Sequence, residues 1–295
     1  MAKVDLKGLS TETRNTGTMN LDALSIEEIL SLMNGEDKNV LEAVRRALPE
    51  IAALIRKTVE TYENGGRIIY MGAGTSGRMG LMDAVEVVPT FNCERFVGLI
   101  AGGDMAFVKA VEGAEDSKEL GISDLQKIDL KSEDFVLGIA ASGRTPYVIG
   151  GLDYAREIGA TTGCLCCNMN TEIAKHVDYP IEVSAGPEVL TGSTRLKSGT
   201  CQKIILNMIS TVTMIKVGKV YGNLMVDVKA TNEKLVERCH NIVMQATDCD
   251  YETADAVLKE TDNSCKLAIV MILFGYDKEK AIEALAKANG VIRNI

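Results

Sequence analysis

Five stretches of this chain are apolar runs rather than alternating patterns: 67–71, 96–101, 134–140, 161–167 and 180–183. Runs of that kind predict strands covered on both faces. Between them apolar residues take helical spacing, near 77–86, 104–118 and 146–158. The alternation predicts an α/β fold: a doubly wound parallel five-stranded sheet in an αβα sandwich, with ligand loops at the strand C-termini. Upstream, 1–20 reads as a polar extended arm, and Ser25-Ile-Glu-Glu28 is a capping box that starts a short helix. Val40, Val44, Leu48, Ile51, Leu54, Ile55 and Val59 predict one long helix over 36–62, ended by Asn64-Gly65-Gly66. Downstream, helices are expected over 198–217 and 232–247. Three short amphipathic patterns follow at 251–260, 264–273 and 277–288, with Asp250, Asp262 and Asp277 near their starts. They predict a small C-terminal three-helix unit, so the expected domains are 1–247 and 248–295.

Two of the strands run into the same signature. The strand at 67–71 leads into Gly72-Ala-Gly-Thr-Ser-Gly-Arg78, and that at 134–140 into Ala141-Ser-Gly-Arg-Thr-Pro146. Each puts Ser-Gly-Arg where a helix should begin. A helix N-terminus offers unpaired N–H groups and the positive end of its dipole, and so favours an anion. A third loop, Gly186 to Thr200, is also rich in hydroxyls and leads into a helix. Gly74, Thr75, Ser76, Ser142, Gly143, Thr145, Ser193 and Thr194 are therefore candidates to hold one phosphate. Arg78, Arg144, Arg195 and Lys197 are candidate charge partners. Gly72 to Gly77 also fits the dinucleotide pattern GxGxxG, but Glu94 precedes the second strand rather than ending it. The ribose-binding acid is thus missing. The ligand these loops imply is a phosphorylated small molecule.

Composition narrows the partners. The 295 residues carry a formal net charge of -9, which argues against nucleic acid. No signal-peptide core or membrane-length apolar run is present, so a cytoplasmic protein with reduced cysteines is expected, and no membrane partner. Cys164, Cys166 and Cys167 fall in a predicted strand and read as packing residues. With only His176 and His240, far apart, a metal site is not expected.

Carboxylates supply the remaining chemistry. Glu86 has apolar flanks in Val85-Glu-Val-Val-Pro-Thr90, which predict a buried carboxyl suited to proton transfer near neutral pH. Glu112 and Glu115 are three apart and would share a helix face. Ser76 and Ser142 have no evident histidine base, which argues against a serine nucleophile.

At these residues the chain resembles the N-acetylmuramic acid 6-phosphate etherases, of the sugar isomerase (SIS) superfamily. The resemblance is carried by Thr11 to Asn15, Gly72 to Gly80, Gly98 to Gly103, Val111 to Asp116, Ala140 to Gly151, Gly186 to Gly199 and Gly218 to Asn232. It implies the SIS fold and cleavage of the D-lactyl ether at C3 of the sugar by elimination and then hydration, without metal, nucleotide or other cofactor. It gives Glu86 the role of general acid and selects Glu115 over Glu112 as the second catalytic glutamate, the C2 base. It also implies that the Ser/Thr loops and Lys197 bind the substrate, and that a homodimer completes the active site across its interface. The tail would be a domain similar to ubiquitin-associated folds. The family usually reads Ser-Glu-Cys-Pro-Pro-Thr around the acid, so this chain lacks a neighbouring hydroxyl and one proline. The same phosphate-binding loops would also suit a non-catalytic sugar-phosphate sensor or an aldose–ketose isomerase.

Overall fold

The computed structural model describes residues 8–109, 111–230 and 232–295. The first seven residues of the expected arm, and Thr231 in the 218–232 stretch, lie outside these. Within the arm, 8–20 is not extended: Ser10–Glu12 and Thr16–Thr18 are single 3₁₀ turns, followed by another at Leu21–Ala23.

The first helix, α1 (Ile26–Arg46), starts at the expected capping box, with Ser25 and Glu28 bonding reciprocally. It runs through Gly35 and stops at Ala47, where α2 (Leu48–Glu63) begins. The single helix expected over 36–62 is thus two. The cause is Pro49, which has no N–H to give the preceding turn and whose ring would strike a carbonyl there; in the first turn of a new helix neither matters.

The sheet follows: β1 (Ile68–Gly72), α3 (Gly74–Phe91), β2 (Phe96–Ile100), the one-turn α4 (Met105–Val108), α5 (Lys118–Lys127), β3 (Phe135–Ala140), α6 (Pro146–Ile158), β4 (Thr161–Cys166) and β5 (Tyr179–Glu182). The strand order is β2-β1-β3-β4-β5 and every pairing is parallel. This is the doubly wound sheet the apolar runs predict. Successive residues of each strand face opposite layers. Ile69, Met71, Val136 and Cys164 pack under Leu125 of α5 and Tyr147, Val148 and Leu152 of α6. On the other face Gly80 of α3 lies directly on Tyr70 and Ile139, and α2 lies along β1 and β5. The connection from β1 goes to β2 on one side, while β3 sits on the other. The switch point therefore opens between the C-terminal ends of β1 and β3, where a doubly wound sheet binds its ligand.

The rest is α7 (Lys197–Lys216), a two-residue antiparallel pair β6 (Val220–Tyr221) and β7 (Leu224–Met225), α8 (Glu233–Thr247), α9 (Tyr251–Glu260), α10 (Cys265–Phe274) and α11 (Lys278–Lys287). Contacts divide the chain into two compact units. One takes the chain up to Ala84 together with Arg95–Ile209, the other Val85–Glu94 with Ser210–Ile295. The boundary therefore differs from the 247/248 expected. The reason is α8: its Cys239, Ile242 and Val243 share one core with Leu258 of α9, Leu267 to Met271 of α10 and Ala281 of α11. Ser264, not Asp262, caps α10. That helix is buried over Leu267 to Met271 rather than amphipathic. No helix among the described residues is long and apolar enough to cross a membrane.

Candidate functional site

At the end of β1 the chain turns directly into α3. A Cβ on Gly77 would fall 2.6 Å from the Gly72 oxygen and 2.7 Å from Ile100 Cγ1, so only glycine lets the helix start this close to its strand. Gly74 is exposed at the helix start. Ser76 is buried, and its Oγ accepts a hydrogen bond from Gln202 Nε2 at 3.0 Å. Thr75 faces α7: its Cγ2 lies 3.4 Å from where a Cβ on Gly199 would be. The first and third loops therefore meet at Thr75 and Gly199.

After β3, Gly143 takes a left-handed φ of 72°, and its carbonyl accepts from Ile173 N at 2.9 Å. A Cβ there would overlap Thr171. Thr145 precedes Pro146, the first residue of α6. Its side chain makes no capping bond, but Pro146 has no N–H, and Val148 N and Ile149 N both donate to the Thr145 carbonyl at 3.1 Å. Ser142 and Thr145 are half-buried. The loop is braced from the arm: Asn168 Nδ2 reaches both the Ala141 carbonyl and Thr11 Oγ1 at 3.0 Å, and its Oδ1 accepts from Ser10 Oγ at 2.9 Å. This accounts for the Thr11 to Asn15 stretch, which no periodicity explains.

The third loop corrects one expectation. The N-terminus of α7 already holds an anion, the fully buried carboxylate of Glu188. It accepts from Lys197 N and Ser198 N at 2.9 Å and from Ser198 Oγ at 2.8 Å. Lys197 itself is buried, with Nζ 2.6 Å from Glu36 Oε2, which also accepts from Asn15 Nδ2 at 2.9 Å. Its ammonium is paired with the Glu36 carboxylate rather than exposed at the surface. Ser193 and Thr194 stay half-buried before it, and Arg195 is exposed. Glu188→Ala would strand two buried N–H groups. It is expected to destabilise the protein by about 3 kcal/mol, read from the urea midpoint, with Glu188→Gln losing less because one acceptor remains.

The second correction concerns 104–118. No helix spans it: α4 ends at Val108, Gly113 adopts a left-handed φ of 73°, and a 3₁₀ turn covers Ala114–Asp116. Glu112 and Glu115 are thus not on one helix face. Both are exposed, and both line a cavity of about 310 Å³ together with Ala73, Gly74, Arg78, Ala101, Ala106 and neighbouring backbone. Gly74 of the first loop and Glu115 therefore share one cavity. Arg78 is a brace rather than a free cation: Nε donates to the Phe107 carbonyl at 3.0 Å and Nη2 to that of Ala106 at 2.7 Å.

Glu86, expected to be buried by its apolar flanks, is exposed in the single chain, as is Val85 beside it. Only the inward side of α3 is covered there, at Ala84 and Val87. Glu86 lies twelve residues beyond Gly74 on the same helix, which is about 18 Å along the axis.

The cysteines behave as packing groups. Cys164, Cys166, Cys167 and Cys201 are buried, and burial pushes the Cys201 thiol up to about 11. The described residues contain no cluster able to hold a metal. His176 Nδ1 sits 2.5 Å from Asp153 Oδ1, and His240 is buried against the Val236 carbonyl and Asp255. Glu188, Gln202, Asn168 and Glu36 escaped the sequence reading. Each acts across more than 120 positions or as a single polar residue in a loop, and neither leaves a periodic signal.

Residues 50–156 match the glucokinase regulatory protein N-terminal SIS domain. The chain is 60% identical over 293 residues to a protein named N-acetylmuramic acid 6-phosphate etherase from Lactococcus lactis subsp. lactis, covering 99% of each. It is 58% identical over 292 residues to N-acetylmuramic acid 6-phosphate etherase 2 of Lactiplantibacillus plantarum, covering 98% of this chain and 99% of that protein. Among solved structures, a phosphoheptose isomerase from Francisella tularensis superposes with a TM-score of 0.50 at 17% identity. It covers 64% of this chain and 98% of its own, a likeness of fold alone.

Proposed function

Since this chain belongs to the N-acetylmuramic acid 6-phosphate etherase family, we infer that it is a carbon–oxygen lyase that releases D-lactate from N-acetylmuramic acid 6-phosphate and leaves N-acetylglucosamine 6-phosphate. The observation that carries the site assignment is the cavity shared by Gly74 and Glu115, which joins an anion-binding helix start to a carboxylate.

In this reading the 6-phosphate is held by Gly74, Thr75 and Ser76 at the start of α3, by Ser142, Gly143 and Thr145 at the start of α6, and by Ser193 and Thr194. In the open-chain sugar C2–H is acidic because it lies α to the C1 aldehyde. Glu115 takes that proton. The electron pair is first held as an enolate on the C1 oxygen; it then forms the C2–C3 double bond as the C3–O bond breaks, and Glu86, brought in by a second copy of the chain, gives its proton to the departing ether oxygen. D-Lactate leaves. Glu86, now a carboxylate, takes a proton from water as the water oxygen adds to C3, and C2 regains a proton from Glu115. No metal or nucleotide is needed, and Lys197 supports the loop rather than touching the phosphate.

The active site is completed by a second copy of the chain. Glu86 is exposed beside Met82 and Val85, and the segment next to the Glu115 cavity exposes Met105, Phe107, Val108 and Val111. Apolar side chains exposed this densely beside catalytic groups fit a homodimer interface that buries them. The enzyme would work in the cytoplasm, in amino-sugar catabolism and peptidoglycan recycling, with α9 to α11 as a helical domain of ubiquitin-associated type.

Incubating the purified protein with N-acetylmuramic acid 6-phosphate should give D-lactate and N-acetylglucosamine 6-phosphate in equal amounts, measured by coupled oxidation of the lactate and by mass spectrometry. Folded protein that binds the substrate and releases no lactate would overturn the reading in favour of a sensor. Conversion of an aldose phosphate to its ketose without lactate would favour an isomerase.

A further inference from the structure

We propose that Gln202 is a positioning residue for phosphate recognition: its side-chain amide holds the Ser76 oxygen as an acceptor and so turns the Ser76 hydroxyl hydrogen toward the bound phosphate. The proposal rests on the reading of the first loop as a phosphate cradle, and deepens it.

Gln202 lies one turn into α7 and is 1% exposed. Its Nε2 donates to Ser76 Oγ at 3.0 Å, across 126 positions of sequence. The same two helix starts touch at Thr75 and Gly199, which fixes the distance between them. Gly199 itself follows the two N–H groups that Glu188 holds, so the α7 start is pinned from behind. A hydroxyl has one hydrogen to give and two lone pairs to receive with. Left alone in the first turn of a helix, a serine can spend its hydrogen on its own backbone. With an amide N–H occupying one lone pair, the hydrogen is directed away from Gln202, toward the side where the α3 N-terminus favours an anion. A donor of this kind to an anion is about twice as strong as a neutral bond. The residue at 202 must therefore be a neutral donor. A carboxylate in its place would take the Ser76 hydrogen for itself and would repel the phosphate.

The test uses full-length protein, N-acetylglucosamine 6-phosphate as the probe in calorimetry, and kcat and KM for the etherase substrate. Ser76→Ala is expected to weaken probe binding about tenfold. Gln202→Leu should weaken it by a similar factor through KM, with kcat nearly unchanged, and the double variant should be no worse than Ser76→Ala alone. Gln202→Glu keeps the shape of the side chain and is expected to weaken binding by more than tenfold at about pH 8. Because position 202 is buried, the introduced carboxyl should titrate above its usual range, so that loss, taken as a ratio to wild type at each pH, should shrink toward about pH 5 as the carboxyl is protonated and becomes a donor. Unchanged binding in Ser76→Ala would remove the cradle reading itself. Weakened binding in Ser76→Ala but not in Gln202→Leu, additive losses in the double variant, or a Gln202→Glu loss that does not depend on pH would each overturn the role of Gln202 while leaving the cradle in place.

Discussion

Glu86→Gln is expected to slow D-lactate release by about 10²–10⁴-fold while binding of N-acetylglucosamine 6-phosphate stays within about twofold of wild type. An ether oxygen leaves badly as an alkoxide, so the step needs a proton delivered as the C3–O bond breaks. The amide has the size of the carboxyl and no proton of the right acidity. Because Glu86 is exposed on the outer side of α3 and its carbonyl, not its carboxyl, bonds Thr90, the substitution should not disturb the helix. Two measurements isolate the acid role. Exchange of the C2 hydrogen with deuterated solvent should continue in the variant, since it depends on the base. A substrate analogue carrying a halide at C3 needs no protonation and should be eliminated at nearly the wild-type rate. Equal losses on lactate and halide substrates would remove Glu86 as the acid.

The parts of this molecule that could be read from the sequence are those where one local pattern has one structural meaning. A continuous apolar run between turn residues has few solutions, and all five strands fall where those runs lie. The helix starts of the C-terminal unit were legible at Asp250 and Asp277, because an N-cap is a contact over three residues. The helix break at Pro49 was hidden by apolar residues that keep the same spacing through it. The segment 104–118 misled for the opposite reason. Its spacing is helical, but glycines at 102, 103 and 113 take left-handed φ values and make it a loop, which is what brings Glu115 to the first loop's cavity. The hydroxyl-rich loops were legible as residue types, yet not as to which charges remain free. Lys197 looks like an anion binder in sequence. Its neutralisation by Glu36, and the filling of its helix start by Glu188, are contacts between distant positions. Burial of Glu86 failed for a related reason: apolar neighbours in sequence do not fix which face of a helix its own chain covers, and on α3 that face carries Ala84 and Val87.

Glu115→Gln is expected to abolish both signals at once: exchange of the C2 hydrogen and release of lactate should fall together, each by about 10²–10⁴-fold. The two losses are coupled because elimination cannot begin until the C2 proton has gone, whereas loss of the acid stops only the second half of the step. Position favours Glu115 for this role over an arbitrary acid. It sits on a short 3₁₀ turn fixed by the left-handed Gly113 before it and by Ser117, which caps α5 through Leu120 N at 3.1 Å, after it. It shares its cavity with Gly74, so a sugar anchored by its phosphate at the helix start lies within the same space as the base. Glu112 lines that cavity too and supplies the control. If negative charge near the substrate were all that mattered, Glu112→Gln and Glu115→Gln would slow exchange alike. If a base aimed at C2 is what matters, Glu112→Gln should change exchange by less than about threefold. Unchanged exchange in Glu115→Gln with a large loss in Glu112→Gln would move the base three residues along the loop. Unchanged exchange in both would place it on another element and leave this cavity as a binding surface only.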